Sequence, residues 1–109
     1  MFRAFDALSF GGSTERHMQL SDRFTVSDDV VAREVGGEMV LLDLSSGQYF
    51  GLDSVGGRIW ELLTERPHEL KELCDIIEAE FDAPRDRIEA DLLTLAKQLQ
   101  DQELIAAAA

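Results

Sequence analysis

Cysteine is nearly absent from this 109-residue chain. Cys74, the single one, cannot close an internal disulfide, so nothing calls for an oxidising compartment and a cytoplasmic setting is expected. Histidine is scarce too. His17 and His68 lie far apart and neither has a second ligand at helical spacing, so no metal site is expected. Basic residues are few: 10 Lys and Arg stand against 22 Asp and Glu, a formal charge of −12. That field repels DNA, RNA and anionic lipid surfaces. No apolar run approaches the roughly 20 residues of a membrane-spanning helix. Phe2, Phe5, Leu8 and Phe10 are interrupted by Arg3 and Asp6, which is not a signal-peptide core. Gly11-Gly12 and Gly56-Gly57 lack the spacing and the lysine of a phosphate-binding loop. Cys74 falls among inward helical positions and reads as a structural thiol, while Asp28-Asp29 read as solvated or capping residues. No enzyme activity and no cofactor are expected.

What is present is enough for one core. Hydrophobic residues make up 45% and charged residues 29%, a globular balance. Residues 1–25 carry no persistent period and read as an N-terminal extension, leaving residues 26–109 as the folded domain. The charge is uneven: residues 36–109 hold 16 acids and 6 bases, against 6 and 4 in residues 1–35.

Val30 to Val35 reads as a strand, Gly36-Gly37 as a two-residue hairpin turn, and Glu38 to Leu44 as a second strand. Ser45-Ser46-Gly47 suits a type I turn closed by a glycine bulge, followed by a third strand from Gln48 to Leu52. Such a turn sets Leu44 opposite Gln48, Leu42 opposite Phe50 and Val40 opposite Leu52. The expected core face is then Val40, Leu42, Leu44, Phe50 and Leu52. The other face, with Met39, Leu41, Asp43 and Tyr49, is unusually apolar and is expected to be partly covered.

After Asp53, an N-cap by type, the period lengthens to about 3.6 residues. Val55, Ile59, Leu62 and Leu63 form the inward stripe of a first helix with Trp60 on its flank. Gly56-Gly57 in its first turns costs about 1 kcal/mol per glycine relative to alanine, which close packing against the hairpin would explain. Pro67 is expected to start a second helix with Leu70, Leu73, Cys74, Ile77 and Phe81 on one face. Pro84 is expected to start a third, striped by Ile88, Leu92, Leu95, Ala96 and Leu99. Leu104-Ile105 and the four closing alanines extend the helix or fray. If the strands pair in chain order, Gln48-Tyr49-Phe50-Gly51-Leu52 is an outer edge with no lysine, proline or charge to blunt it, open to an added strand.

Arg33-Glu34-Val35, Val40-Leu41-Leu42-Asp43-Leu44, Ser46-Gly47-Gln48-Tyr49-Phe50, Gly57-Arg58-Ile59-Trp60-Glu61-Leu62-Leu63 and the Ile88–Leu99 helix together resemble the PqqD-like family. These small domains are also called recognition elements of ribosomally made, modified peptides (RiPP recognition elements). The resemblance covers about residues 28–105. It implies an α+β, winged-helix-like domain, with a three-stranded antiparallel sheet followed by three helices. It implies a non-catalytic peptide chaperone of natural product biosynthesis, which holds the leader peptide of a precursor and presents the rest to a modifying enzyme or leader peptidase. Carried over by position, the leader adds as a strand along Gln48, Tyr49, Phe50, Gly51 and Leu52. The third helix walls the groove through Asp91, Leu92 and Leu95, with Lys97 and Leu99 as further candidates. For Leu92 and Leu95, core packing is the competing reading. The hairpin through Asp43–Phe50 is more similar to members serving lasso peptides than to those serving pyrroloquinoline quinone synthesis.

Two other readings stay open at this point. A winged-helix DNA-binding regulator needs a basic recognition helix, whereas the third helix sets Arg85, Arg87 and Lys97 against Asp86, Glu89, Asp91 and Asp101. A protein-interaction subunit, acting through Tyr49 and Trp60, needs no precursor peptide. An open edge also lets two copies pair as a dimer.

Overall fold

A computed structural model describes residues 18–108. In chain order it contains strands β1 (Arg23–Val26), β2 (Val30–Val35), β3 (Glu38–Asp43) and β4 (Gln48–Leu52), and helix α1 (Ser54–Glu65). Strand β5 (His68–Glu69), helices α2 (Leu70–Glu80) and α3 (Arg85–Asp101) and strand β6 (Ile105–Ala107) follow. The expected three-stranded antiparallel sheet is β2-β3-β4, and the three helices follow it. A second sheet, β5-β1-β6, joins the two ends of the domain.

That second sheet moves three expected boundaries. The division drawn between residues 25 and 26 falls inside β1, where Phe24 is buried in the core. Residues 1–17, including Phe2, Phe5, Leu8 and Phe10, lie outside the described residues. Pro67 does not open α2: His68 and Glu69 first pair with Phe24 and Arg23, and the helix begins at Leu70. The Glu69 N–H, orphaned at the helix start, donates to Glu72 Oε1 at 2.9 Å. The C-terminal Ile105–Ala107 neither prolongs α3 nor frays, because it pairs with Val26, Thr25 and Phe24.

The chain is turned from α3 into β6 by a Schellman-type ending. The Leu104 N–H reaches Leu99 O and the Glu103 N–H reaches Gln100 O, both at 2.9 Å. Leu99 and Leu104 are buried at this joint. The turn holds Glu103 at φ 62°, in the left-handed region that glycine usually fills.

The hairpin between β3 and β4 is one residue out of the expected register. Asp43, not Leu44, faces Gln48; Leu41 faces Phe50 and Met39 faces Leu52. The loop has four residues, Leu44 to Gly47, rather than three. Its lock is the Asp43 carboxylate. This accepts the Ser45 N–H at 3.1 Å, the Ser45 hydroxyl at 3.0 Å and the Ser46 hydroxyl at 2.9 Å, while the Gly47 N–H closes onto Asp43 O at 2.7 Å. Gly47, at φ 77°, completes the loop. Asp43 therefore ends the strand, and every side chain of β3 exchanges faces relative to the expectation. Leu41, expected outward, is completely buried. Leu44, expected inward, is 60% exposed, and Val40 and Leu42 are only partly buried.

Helix α1 lies over the core face of this sheet. Asp53 caps it as expected, accepting the Gly56 N–H at 2.9 Å. The glycine pair is explained by close approach. A Cβ on Gly56 would stand 3.2 Å from Leu52 Cβ, and one on Gly57 would stand 3.2 Å from Met39 Cβ. Ile59, Trp60, Leu62 and Leu63 then join Leu41, Phe50, Leu52 and the apolar stripes of α2 and α3 in one core.

Two stability measurements check these joints. Hydrogen bonds from Ser46, and then Ser45, hold the Asp43 carboxyl below its ordinary value against the opposing effect of burial. A depressed folded-state value means that this stabilisation is present above the ordinary carboxylate range and is lost as pH falls through it. Asp43→Asn should therefore lower the urea midpoint at pH 7. The difference from the parent should shrink steadily as pH drops below about 4. Glu103→Gly relieves the left-handed residue and should raise stability by about 0.5–1 kcal/mol, read as a higher urea midpoint with an unchanged slope.

Candidate functional site

Strand β4 pairs with β3 along its inner side. Among the described residues no strand pairs with its outer side. Which of its backbone groups face outward follows from the two turns. Antiparallel pairs alternate between partners that exchange hydrogen bonds and partners that do not. The two-residue Gly36-Gly37 turn makes Val35–Glu38 a bonded pair, and the Leu44 N–H still reaches Asp29 O at 2.9 Å. Glu38, Val40 and Leu42 thus bond to β2, leaving Met39, Leu41 and Asp43 to bond to β4. Their partners Gln48, Phe50 and Leu52 turn their N–H and C=O groups inward. Tyr49 and Gly51 turn theirs outward, toward an incoming strand.

Side chains divide along the same strand. Phe50 and Leu52 are buried under α1, whereas Tyr49 is 70% exposed and Gly51 offers no side chain to obstruct an approach. Gln48 sits at the turn with its N–H 3.2 Å from Ser46 Oγ, so the Asp43 lock extends to the first residue of the edge. Of the five expected strand residues, the structure puts the backbone of two and the side chain of Tyr49 at the outer edge. The other three anchor the strand.

The expected helical residues separate in a similar way. Leu92 and Leu95 are 1% and 2% exposed and pack with Ile59, Leu63, Leu70 and Leu73, so core packing accounts for both. Asp91 is half-buried, with Arg87 Nε 3.4 Å from its Oδ2. That separation is an ion pair without a hydrogen bond, and Oδ2 is enclosed with no hydrogen-bond partner. Gln98, two turns on, likewise has an enclosed Oε1 with none. On the opposite flank, Arg85 reaches Asp75 at 2.8 Å and Glu78 at 3.0 Å on α2, and Glu89 at 2.7 Å on α3. Asp91 and Gln98 therefore lie on the flank of α3 turned away from α2. Gln98 had no signal in the sequence, because a lone glutamine on a helix has no pattern to mark it.

Cys74 and His68 both lie in the interior. Burial pushes the Cys74 thiol up to about 11, which leaves it protonated and inert at neutral pH. His68 is buried with Nδ1 2.9 Å from Arg66 O, a structural contact within the turn before α2. No group of three or more potential metal-ligating side chains converges among the described residues. A depression of about 600 Å³ lies beside β1, lined by Met18, Asp22, Arg23, Gln100 and Ala108, away from the β4 edge. No described helix is long and apolar enough to cross a membrane.

No curated protein matches the chain. Among solved structures, it is similar to TbiB1 in complex with the TbiA(beta) leader peptide. The two are 42% identical, with a TM-score of 0.70, over 78% of this chain and 98% of that one. A lasso peptide synthetase B1 complexed with its leader peptide is 23% identical with a TM-score of 0.67, over 76% of this chain and 96% of that one, a likeness of fold. The family model for coenzyme PQQ synthesis protein D (PqqD) matches residues 38–105, which span β3 and β4, all three helices and the start of β6. With more than half of its length matched, the chain belongs to the PqqD family.

Proposed function

We propose that this chain binds the leader segment of a ribosomally made precursor peptide as an added strand on the outer edge of β4, and presents the remainder to a modifying enzyme or leader peptidase. The observation that carries this reading is the pair of outward-facing backbone units at Tyr49 and Gly51 on a strand with no charge, proline or lysine to refuse a partner. Support also comes from TbiB1, 42% identical to this chain over 98% of its own length and solved with a leader peptide bound. The leader lies between Tyr49 on β4 and the flank of α3 that carries Asp91 and Gln98. Gln48, Phe50 and Leu52 hold the strand in place, and Leu92 and Leu95 support the wall from behind. The setting is cytoplasmic, the chain itself makes and breaks no bond, and the product is of the lasso rather than the quinone type.

DNA binding is disfavoured by α3 itself. Arg85 is engaged by three carboxylates, and α3 as a whole carries four acidic residues against three basic ones, a poor match for a phosphate backbone.

Proline scanning of β4 against a fluorescently labelled leader tests the edge. Each net hydrogen bond contributes about 0.5–1.5 kcal/mol, so Tyr49→Pro and Gly51→Pro should each weaken binding about 2- to 13-fold or more with the fold intact by circular dichroism. Phe50→Pro instead removes a donor to β3 and should destabilise the hairpin. Equal leader affinity in all folded variants overturns strand addition. Because the domain is strongly acidic, affinity for a leader carrying lysine or arginine should also fall as salt rises from 50 to 500 mM (an about threefold shorter screening length). A salt-independent affinity would remove the electrostatic part of the reading.

A further inference from the structure

Four large apolar side chains stand half or more exposed among the described residues: Val31 at 50%, Val35 at 55%, Leu44 at 60% and Tyr49 at 70%. All four belong to the same surface. Val31, Leu42 and Tyr49 are direct cross-strand neighbours, forming one row across β2, β3 and β4 on the face opposite α1. Val35, Val40 and Leu44 continue the alternation on that face. Three strands about 4.8 Å apart and about 20 Å long give this face roughly 300 Å², most of it apolar and comparable with the largest apolar patch of an ordinary monomer.

The surroundings define the occupant. Asp28 and Asp29 precede β2 and Glu38 closes the patch at the far turn, leaving Arg33 as the cation on the face. With −12 on each chain, stacking two copies face to face sets like charge against like. The complementary surface is apolar at its centre and ringed by lysine and arginine. A strand added to β4 takes the edge and leaves the face open, and it brings alternate side chains of its own onto that face beside Tyr49. Both occupants therefore fit together, and the added strand widens the surface to about 400 Å², roughly half of the usual 800 Å² per partner.

We propose that the outer face of the β2-β3-β4 sheet is the docking surface for the enzyme that acts on the held peptide, and that this enzyme meets it with an apolar patch rimmed by basic residues. The inference rests on the leader-binding reading, since it takes the bound peptide as part of the surface.

The test uses the full chain, a labelled leader and the purified peptide-processing enzyme encoded beside the chain's gene, by titration calorimetry and sedimentation velocity. V31K/V35K changes two exposed side chains on the strand farthest from the leader. It should hold the leader within about twofold of the parent but bind the enzyme about tenfold more weakly or worse. Arg33→Glu, which removes the one repelling cation, should bind the enzyme about two- to threefold more tightly at low salt. Loading the parent with leader should tighten the enzyme complex further. Enzyme binding unchanged in both variants, or absent with the parent, overturns the docking surface while leader binding stands. Loss of leader binding by the parent overturns the leader reading instead. A parent that sediments as a dimer and a V31K/V35K variant that sediments as a monomer would assign the face to a second copy, which also overturns the proposal.

Discussion

The Asp43 carboxylate decides which side of the sheet becomes the interior. It gathers Ser45 and Ser46 over the end of β3 and forces a four-residue loop, and through that loop it fixes the register of β4. Strand side chains alternate with a period of two, so a slip of one residue would expose Leu41 and bury Leu44. The apolar content of β3 does not resist such a slip on its own, because Met39, Val40, Leu41 and Leu42 suit either face. A short polar cap at the turn thus fixes what hydrophobicity leaves ambiguous. The same register turns Tyr49 and Gly51 outward, so the chemistry of the edge depends on a carboxylate several residues away.

The sheet is pinned from its other side by an absence of side chains. Gly56 and Gly57 let α1 settle until Leu52 Cβ and Met39 Cβ sit 3.2 Å from where their own Cβ atoms would be. That approach buries Phe50 and Leu52, so β4 is paired along its inner edge and packed beneath its core face. Added strands bind best to an edge that needs no ordering of its own, since less conformational entropy is lost on association. The helix cost of two glycines, about 1 kcal/mol each, is offset by the core contacts they admit and by an edge presented ready-made.

Much of this was legible in the residues, and the parts that were not have definite reasons. The Gly36-Gly37 turn, the three helical stripes, the Asp53 cap and the uncharged β4 edge each carry a local signal with one structural solution. The register failed because Ser45-Ser46-Gly47 fits both a three- and a four-residue loop. Asp43, which settles the choice, looks like an outward polar residue until its hydroxyl partners are placed. The β5-β1-β6 sheet was invisible for another reason. Its strands have four, two and three residues, too short for any period, and Phe24, His68 and Ile105 become neighbours only after the helices have packed. Asp91 could be carried over by family position, but its half-buried place beside Arg87 is a property of packing alone.

An uncharged, unblunted edge is normally a hazard, because strands of neighbouring molecules can pair there. Here the usual guards, a lysine or proline on the strand, would also refuse a peptide. The protection has moved from the strand to the whole molecule, whose net charge of −12 acts at the distances over which two copies approach. Such protection is selective in a way that a local lysine is not. It raises the barrier between copies of this chain while lowering it for a cationic segment, and it acts over about 10 Å at ordinary ionic strength, before any backbone hydrogen bond can form. On the leader-binding proposal, high salt should therefore do two things at once: loosen the grip on a basic peptide and ease the approach of two edges. A chain that lost leader affinity and gained self-association over the same range of salt would show both effects arising from one field.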